Sequence, residues 1–153
     1  MPEIPIRANI VSLFAIRRAG PGWQVLLMKR ADSLAGAWCQ VAGKLEEGET
    51  AWAAALRELS EETGLTPETL YSADICEQFY EPQRDVITMA PVFLAIIDPA
   101  AEVRLNAEHS DHRWLSIDEA CALVDFGGQR RCLRWIEDEF IRRAPSPYLK
   151  IAI

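Results

Sequence analysis

Metal-binding and disulfide-forming residues are scarce in this chain: two histidines and four cysteines among 153 residues. Cys39, Cys76, Cys121 and Cys132 stand far apart with no CxxC pair, which argues against a zinc site or a disulfide framework and for reduced, mostly buried thiols. Basic residues are also in short supply. Sixteen Lys and Arg face 23 Asp and Glu, a net charge of −7, so no surplus exists to replace the counterions of a nucleic-acid polymer. A small phosphorylated substrate stays open, because bound divalent cations can supply positive charge locally. Long apolar runs are missing too; none reaches the roughly 18 residues of a membrane span. Arg7, Asn9 and two prolines interrupt the first 14 residues, so neither a leader nor a membrane anchor is expected, and the cytoplasm is the expected location.

What remains is the composition of an ordinary globular domain, half hydrophobic and a quarter charged, and one domain over residues 1–153 is expected. Ile4 to Ile16 and Trp23 to Arg30 read as strands joined by a turn over Arg17–Gly22, a hairpin. Leu70–Glu81 and Ile87–Asp98 read as two more strands around a turn at Pro82–Asp85. Pro91 inside the latter implies an edge position or a bulge. Ser116 with Glu119 forms a capping box for a helix to about Val124. Gly127 and Gly128 then separate it from a final helix, Gln129–Arg143, striped by Leu133, Ile136, Phe140 and Ile141. The tail from Ala144 reads as extended. No repeat or linker interrupts this pattern of about five or six strands and three helices.

The densest signal is the stretch GKLEEGETAWAAALRELSEETGL, Gly43 to Leu65. Thr50 suits a helix N-cap, Gly64 a left-handed end, and Pro67 prevents continuation. At ~100° per residue, Trp52, Leu56, Leu59 and Thr63 share one face, and Glu58, Glu61 and Glu62 another. Such like charges destabilise an isolated helix by about 0.2–0.5 kcal/mol per pair. A hard cation bound among them would reverse that penalty. A solvated acidic face would account for the carboxylates, but not for the flanking glycines, nor for Glu49 within reach of Arg57.

The pattern is Gly43, five residues, Glu49, seven residues, Arg57-Glu58, Leu59, one residue, Glu61-Glu62, one residue, Gly64-Leu65. It resembles the signature of the Nudix hydrolases without departure, over about a sixth of the chain. The resemblance implies an α/β fold, a mixed sheet in an α/β/α sandwich, and metal-dependent hydrolysis of a phosphoric anhydride. Mg²⁺, with Mn²⁺ as the alternative, would be held by Glu58, Glu61 and Glu62, with Arg57 orienting a glutamate and Glu49 supporting it as an ion pair. It also implies that Arg30, ending the strand before the signature, faces substrate phosphates, and that Trp38 contacts substrate. The carbonyl of Ala42 would be a metal ligand, and Glu108, ahead of His109, a remote metal ligand or base. Glu58 and Glu108 both qualify as the base.

Where many relatives carry Trp-x-x-Pro-Gly-Gly, this chain has Trp38, Cys39, Gln40, Val41, Ala42, Gly43. That form, with Glu108-His109 and Gln129-Arg130-Arg131, resembles pyrophosphohydrolases of dATP or dihydroneopterin triphosphate, the leading expectation. Hydrolysis of dinucleoside polyphosphates, ADP-ribose or oxidised nucleotides is the alternative, as is a nucleotide sensor without catalysis; an intact signature favours catalysis. No membrane or nucleic-acid partner is expected, and monomer and homodimer both stay open.

Overall fold

The computed structural model describes residues 1–153. Its frame is a nine-stranded mixed sheet. β1 (Ile6–Arg7) and β2 (Ile10–Ala19) lead into β3 (Gly22–Arg30) through a tight turn at Gly20. β4 (Trp38–Cys39) and β5 (Val41–Lys44) precede helix α1 (Ala51–Thr63). β6 (Thr69–Glu81), β7 (Val86–Ile96) and β8 (His109–Leu115) follow, then α2 (Ile117–Leu123) and α3 (Gly127–Ile136). A π-helical turn, Glu137–Ile141, extends α3, and β9 (Lys150–Ile151) closes the chain.

Strand order is β4-β3-β2-β7-β6-β9, with β1 beside β7, β5 beside β2 and β8 beside β3. β2 and β7 are parallel neighbours at the centre, and alternation along them divides the core. Phe14, Ile16, Val25, Leu27, Val92 and Leu94 face α2 and α3. Val11, Leu13, Ala15, Leu26, Met28, Phe93 and Ala95 face α1. The two-residue period of a strand thus builds a core on each side of one sheet, the expected α/β/α sandwich.

Three expectations need correction. β7 is central, and Pro91 lies where the β1 ladder has ended at Thr88 and the β2 ladder has not begun at Val92. Opposite it is Cys76, at the edge of a register shift in β6, so the bulge explanation holds and the edge one does not. Gly127 and Gly128 form the first turn of α3 instead of separating two helices. The tail turns once at Pro147–Leu149 and then adds β9 to β6. No helix is long and apolar enough to cross a membrane.

Candidate active site

Helix α1 starts and stops as its sequence requires. Thr50 Oγ1 accepts from Ala53 N–H, and Gly64 ends the helix at φ +71° with its N–H on Ser60 O. The sheet decides which of its faces is buried. The small residues Ala54 and Ala55, with Leu59 and Thr63, pack on the sheet and carry Glu58 and Glu62 into burial with them. Trp52 is exposed. The alanines permit a close approach of helix to sheet that a tryptophan would prevent.

Close approach is most acute at Gly43. A Cβ there would lie 2.1 Å from Glu58 Cδ, so the strand and the carboxylate occupy one space. Arg57 then organises the acids. Its Nε and Nη2 form a fork on Glu49, at 3.1 and 2.7 Å. Nη1 donates to Glu58 Oε1 at 2.9 Å and to Glu61 Oε2 at 3.3 Å, and Nη2 also reaches the Lys44 carbonyl at 2.9 Å. Arg57 holds the Glu49 carboxyl below its usual range. Glu61 is half exposed and engaged only by Arg57.

Glu62 lies deeper, 3 % exposed. Burial first, then the charges of Glu58 and Glu108, push its carboxyl up to about 8, against the Ala42 N–H that it accepts at 3.3 Å. Burial also raises Glu58, opposed by its hydrogen bond from Arg57. Two buried carboxylates and a third acid therefore face one another with too little positive charge, the arrangement a bound hard cation relieves.

Strand β3 assembles the rest of the cleft. It pairs with β4 on one side, Met28 opposite Cys39, and with β8 on the other, Arg30 opposite His109. The loop after β3 returns to bond Arg30, whose backbone N–H donates to Ala37 O and whose carbonyl accepts from Gly36 N–H. Ala31 N–H donates to the Glu108 carbonyl at 3.0 Å. Glu62, Glu108 and His109 offer ligand atoms within 4.8 Å of one another. Arg30, Asp32, Ser33, Cys39, Gln40 and Ala42 complete the lining, and Arg30 is the one cation there. Its guanidinium also donates to the Ser33 carbonyl at 2.7 Å and to the Ser33 hydroxyl.

Of the residues singled out from sequence, Arg30, Ala42, Glu62 and Glu108 line this cleft, and Glu49, Arg57, Glu58 and Glu61 form the adjoining ion network. Trp38 does not line it. That ring is buried in the core against α2 and α3, with the Arg113 guanidinium 4.7 Å from its centroid. The Gln129–Arg131 region is also outside. Gln129 is buried, donating to Gln40 Oε1 and Trp38 O, while Arg130 donates to Val124 O. Sequence reasoning passed over Cys39 and Gln40 and ranked His109 below Glu108. His109 is 7 % exposed, and burial keeps its imidazole below its ordinary pKa. The one available signal was its place as the first residue of a strand beside Arg30.

The NUDIX domain family matches residues 7–138, and the chain belongs to that family. With its signature intact it is a Nudix hydrolase, an enzyme acting on phosphoric anhydrides. It is 33% identical over 134 residues to a Myxococcus xanthus octanoyltransferase, a match covering 86% of this chain and 37% of that protein. The chain thus spans little more than a third of that relative's length. It is 31% identical over 116 residues to the asymmetrical bis(5'-nucleosyl)-tetraphosphatase of Rattus norvegicus, covering 72% of this chain and 76% of that enzyme. Among solved structures, a C. elegans Ap4A hydrolase in a binary complex superposes with a TM-score of 0.75, at 23% identity over 86% of this chain and 96% of that one. The E. coli dihydroneopterin triphosphate pyrophosphohydrolase gives 0.71, also at 23%, over 93% and 100%. At that identity both likenesses concern the fold.

Proposed function

We propose that the chain hydrolyses dinucleoside tetraphosphates asymmetrically, with a divalent cation, into a nucleoside triphosphate and a nucleoside monophosphate. One observation carries the substrate: the 31% identity to the rat tetraphosphatase over most of both chains, a relationship repeated with the porcine enzyme at 36% over 102 residues. This favours the alternative substrate class over the dATP or dihydroneopterin triphosphate expected from Val41 and Ala42, whose support is a likeness of fold.

The site fits the reaction. A polyphosphate brings several negative charges to a cleft lined by two glutamates, one aspartate and one arginine, so cations must accompany it. The buried carboxylates of Glu58 and Glu62, with the Ala42 carbonyl, are the oxygen donors Mg²⁺ or Mn²⁺ takes, and Glu61 stands beside them. Bound there, the cation would neutralise phosphate charge and acidify a coordinated water. Arg57 fixes Glu58 and, through its fork, Glu49. Arg30 meets the substrate phosphates from the end of β3. Glu108, whose carboxylate has no hydrogen-bond donor in the fold, accepts the proton of the attacking water. Incubation with diadenosine tetraphosphate, ATP, ADP-ribose and dihydroneopterin triphosphate, with Mg²⁺ and product identification, tests this reading. ATP and AMP released from the first substrate at the highest kcat/KM support it. A higher kcat/KM on any other compound overturns the assignment.

A further inference from the structure

The scarcity of cysteine and histidine argued against a zinc site, yet the fold places one of each together at the cleft. Cys39 Sγ lies 3.6 Å from His109 Nε2 across 70 residues of sequence, because β4 and β8 flank the same strand. Glu62 Oε1 is 3.8 Å from the same nitrogen, and Glu62, Glu108 and His109 offer donors within 4.8 Å of one another, a cluster that Cys39 adjoins through His109. Tetrahedral zinc with bonds of ~2.3 Å to sulfur and ~2.0–2.1 Å to nitrogen and oxygen requires S···N near ~3.5 Å and N···O near ~3.3 Å. The observed S···N separation of 3.6 Å matches the first, and the N···O separation of 3.8 Å is longer than the second. Cys39 and His109 are both buried, and His109 Nδ1 has no hydrogen-bond partner, while the Arg30 guanidinium lies beside the Cys39 thiol.

The geometry points to a second, softer metal site in which Cys39, His109, Glu62 and Glu108 bind Zn²⁺. The donor set decides the ion. Thiolate and imidazole suit zinc, whereas Mg²⁺ takes octahedral oxygen and would use the Glu58 side of Glu62. On binding, the Cys39 thiol gives its proton to solvent and forms the S–Zn bond; no electrons are transferred. Because Glu62 belongs to both sets, zinc withdraws it from the hydrolytic ion, and micromolar zinc inhibits turnover. That inhibition, unlike the binding, rests on the function proposed above.

Binding is tested without turnover. Metal-stripped protein is titrated with Co²⁺, a spectroscopic substitute for zinc, and then with Zn²⁺. A thiolate-to-Co²⁺ charge-transfer band should saturate at one ion per chain and be bleached by Zn²⁺. Cys39→Ser should abolish the band and weaken Zn²⁺ binding by at least about tenfold, since even outer partners of metal ligands contribute that much. Cys76→Ser, which removes the exposed thiol, should leave both unchanged. No band in the wild type, a band persisting in Cys39→Ser, or its loss in Cys76→Ser overturns the site. Failure of the hydrolase assay alone would leave these spectra unaffected and count only against the proposed substrate.

Discussion

Gly43 and Glu58 share a volume that only glycine leaves open: the Cβ of any other residue would sit 2.1 Å from the carboxylate carbon. The signature glycine is therefore needed for contact with the acid fifteen residues later, and its chain direction is secondary. Gly43→Ala must push Glu58 aside against its hydrogen bond from Arg57. The expected result is a kcat about 10²-fold lower, the scale of a catalytic group misplaced by an ångström. Overpacking should cost about 1–3 kcal/mol of stability. Steady-state kinetics and a urea melt check both; unchanged kcat would show that Glu58 has room to move.

Arg57 binds three carboxylates and a backbone carbonyl with one planar group. A lysine keeps the charge and loses the fork. Arg57→Lys should lower kcat far more than it changes KM, because it frees Glu58 without touching Arg30, the residue proposed to meet the phosphates. Hydrogen bonds to charged groups contribute about 1.5–3 kcal/mol each, so the midpoint of thermal unfolding should also fall. A KM effect without a kcat effect would place Arg57 at the substrate instead.

Local chemistry could be read from the sequence wherever one segment decides it alone. Thr50, Gly64, the Ser116–Glu119 capping box and the Glu49–Arg57 pair all stand as expected. What failed depended on neighbours distant in the chain. The helical period grouped Trp52 with Leu56, Leu59 and Thr63 on one face, but the sheet accepts the alanines with Leu59 and Thr63, and Trp52 stays outside. Pro91 is central because two other strands leave a gap beside it. The last residues pair with β6 because Leu70 and Tyr71 offer a free strand edge. The same limit holds at the site. The acids of α1 are local, whereas Cys39 and His109 become neighbours only through β3.

Arg30 is the cleft's single cation, which separates binding from chemistry. Arg30→Gln should raise KM for the tetraphosphate about tenfold or more, the loss of one charge-assisted hydrogen bond, with a smaller change in kcat. Arg30→Lys should recover part of it, because the charge persists while the bonds to Ser33 do not. Equal KM values for wild type and Arg30→Gln would remove Arg30 from the substrate.

Glu62 gives the metal-free protein a pH signature opposite to that of an ordinary ion-paired carboxylate. Its folded pKa, near 8, lies above the unfolded value of 4.5, so between these the folded state binds more protons than the unfolded one. Stability from this group is fully present below pH 4.5 and is lost as pH rises through 8. In EDTA, wild type should therefore lose stability across that window, and Glu62→Gln, which cannot ionise, should lose less and be the more stable protein above pH 8. Mg²⁺ should raise the wild-type melting temperature most at the alkaline end, where the carboxylate is charged, and raise that of Glu62→Gln little. Melting curves at several pH values, with EDTA and with Mg²⁺, separate these cases. Parallel pH profiles for the two proteins in EDTA would mean that Glu62 stays ionised throughout, and that the burden of the buried charge is met without a metal.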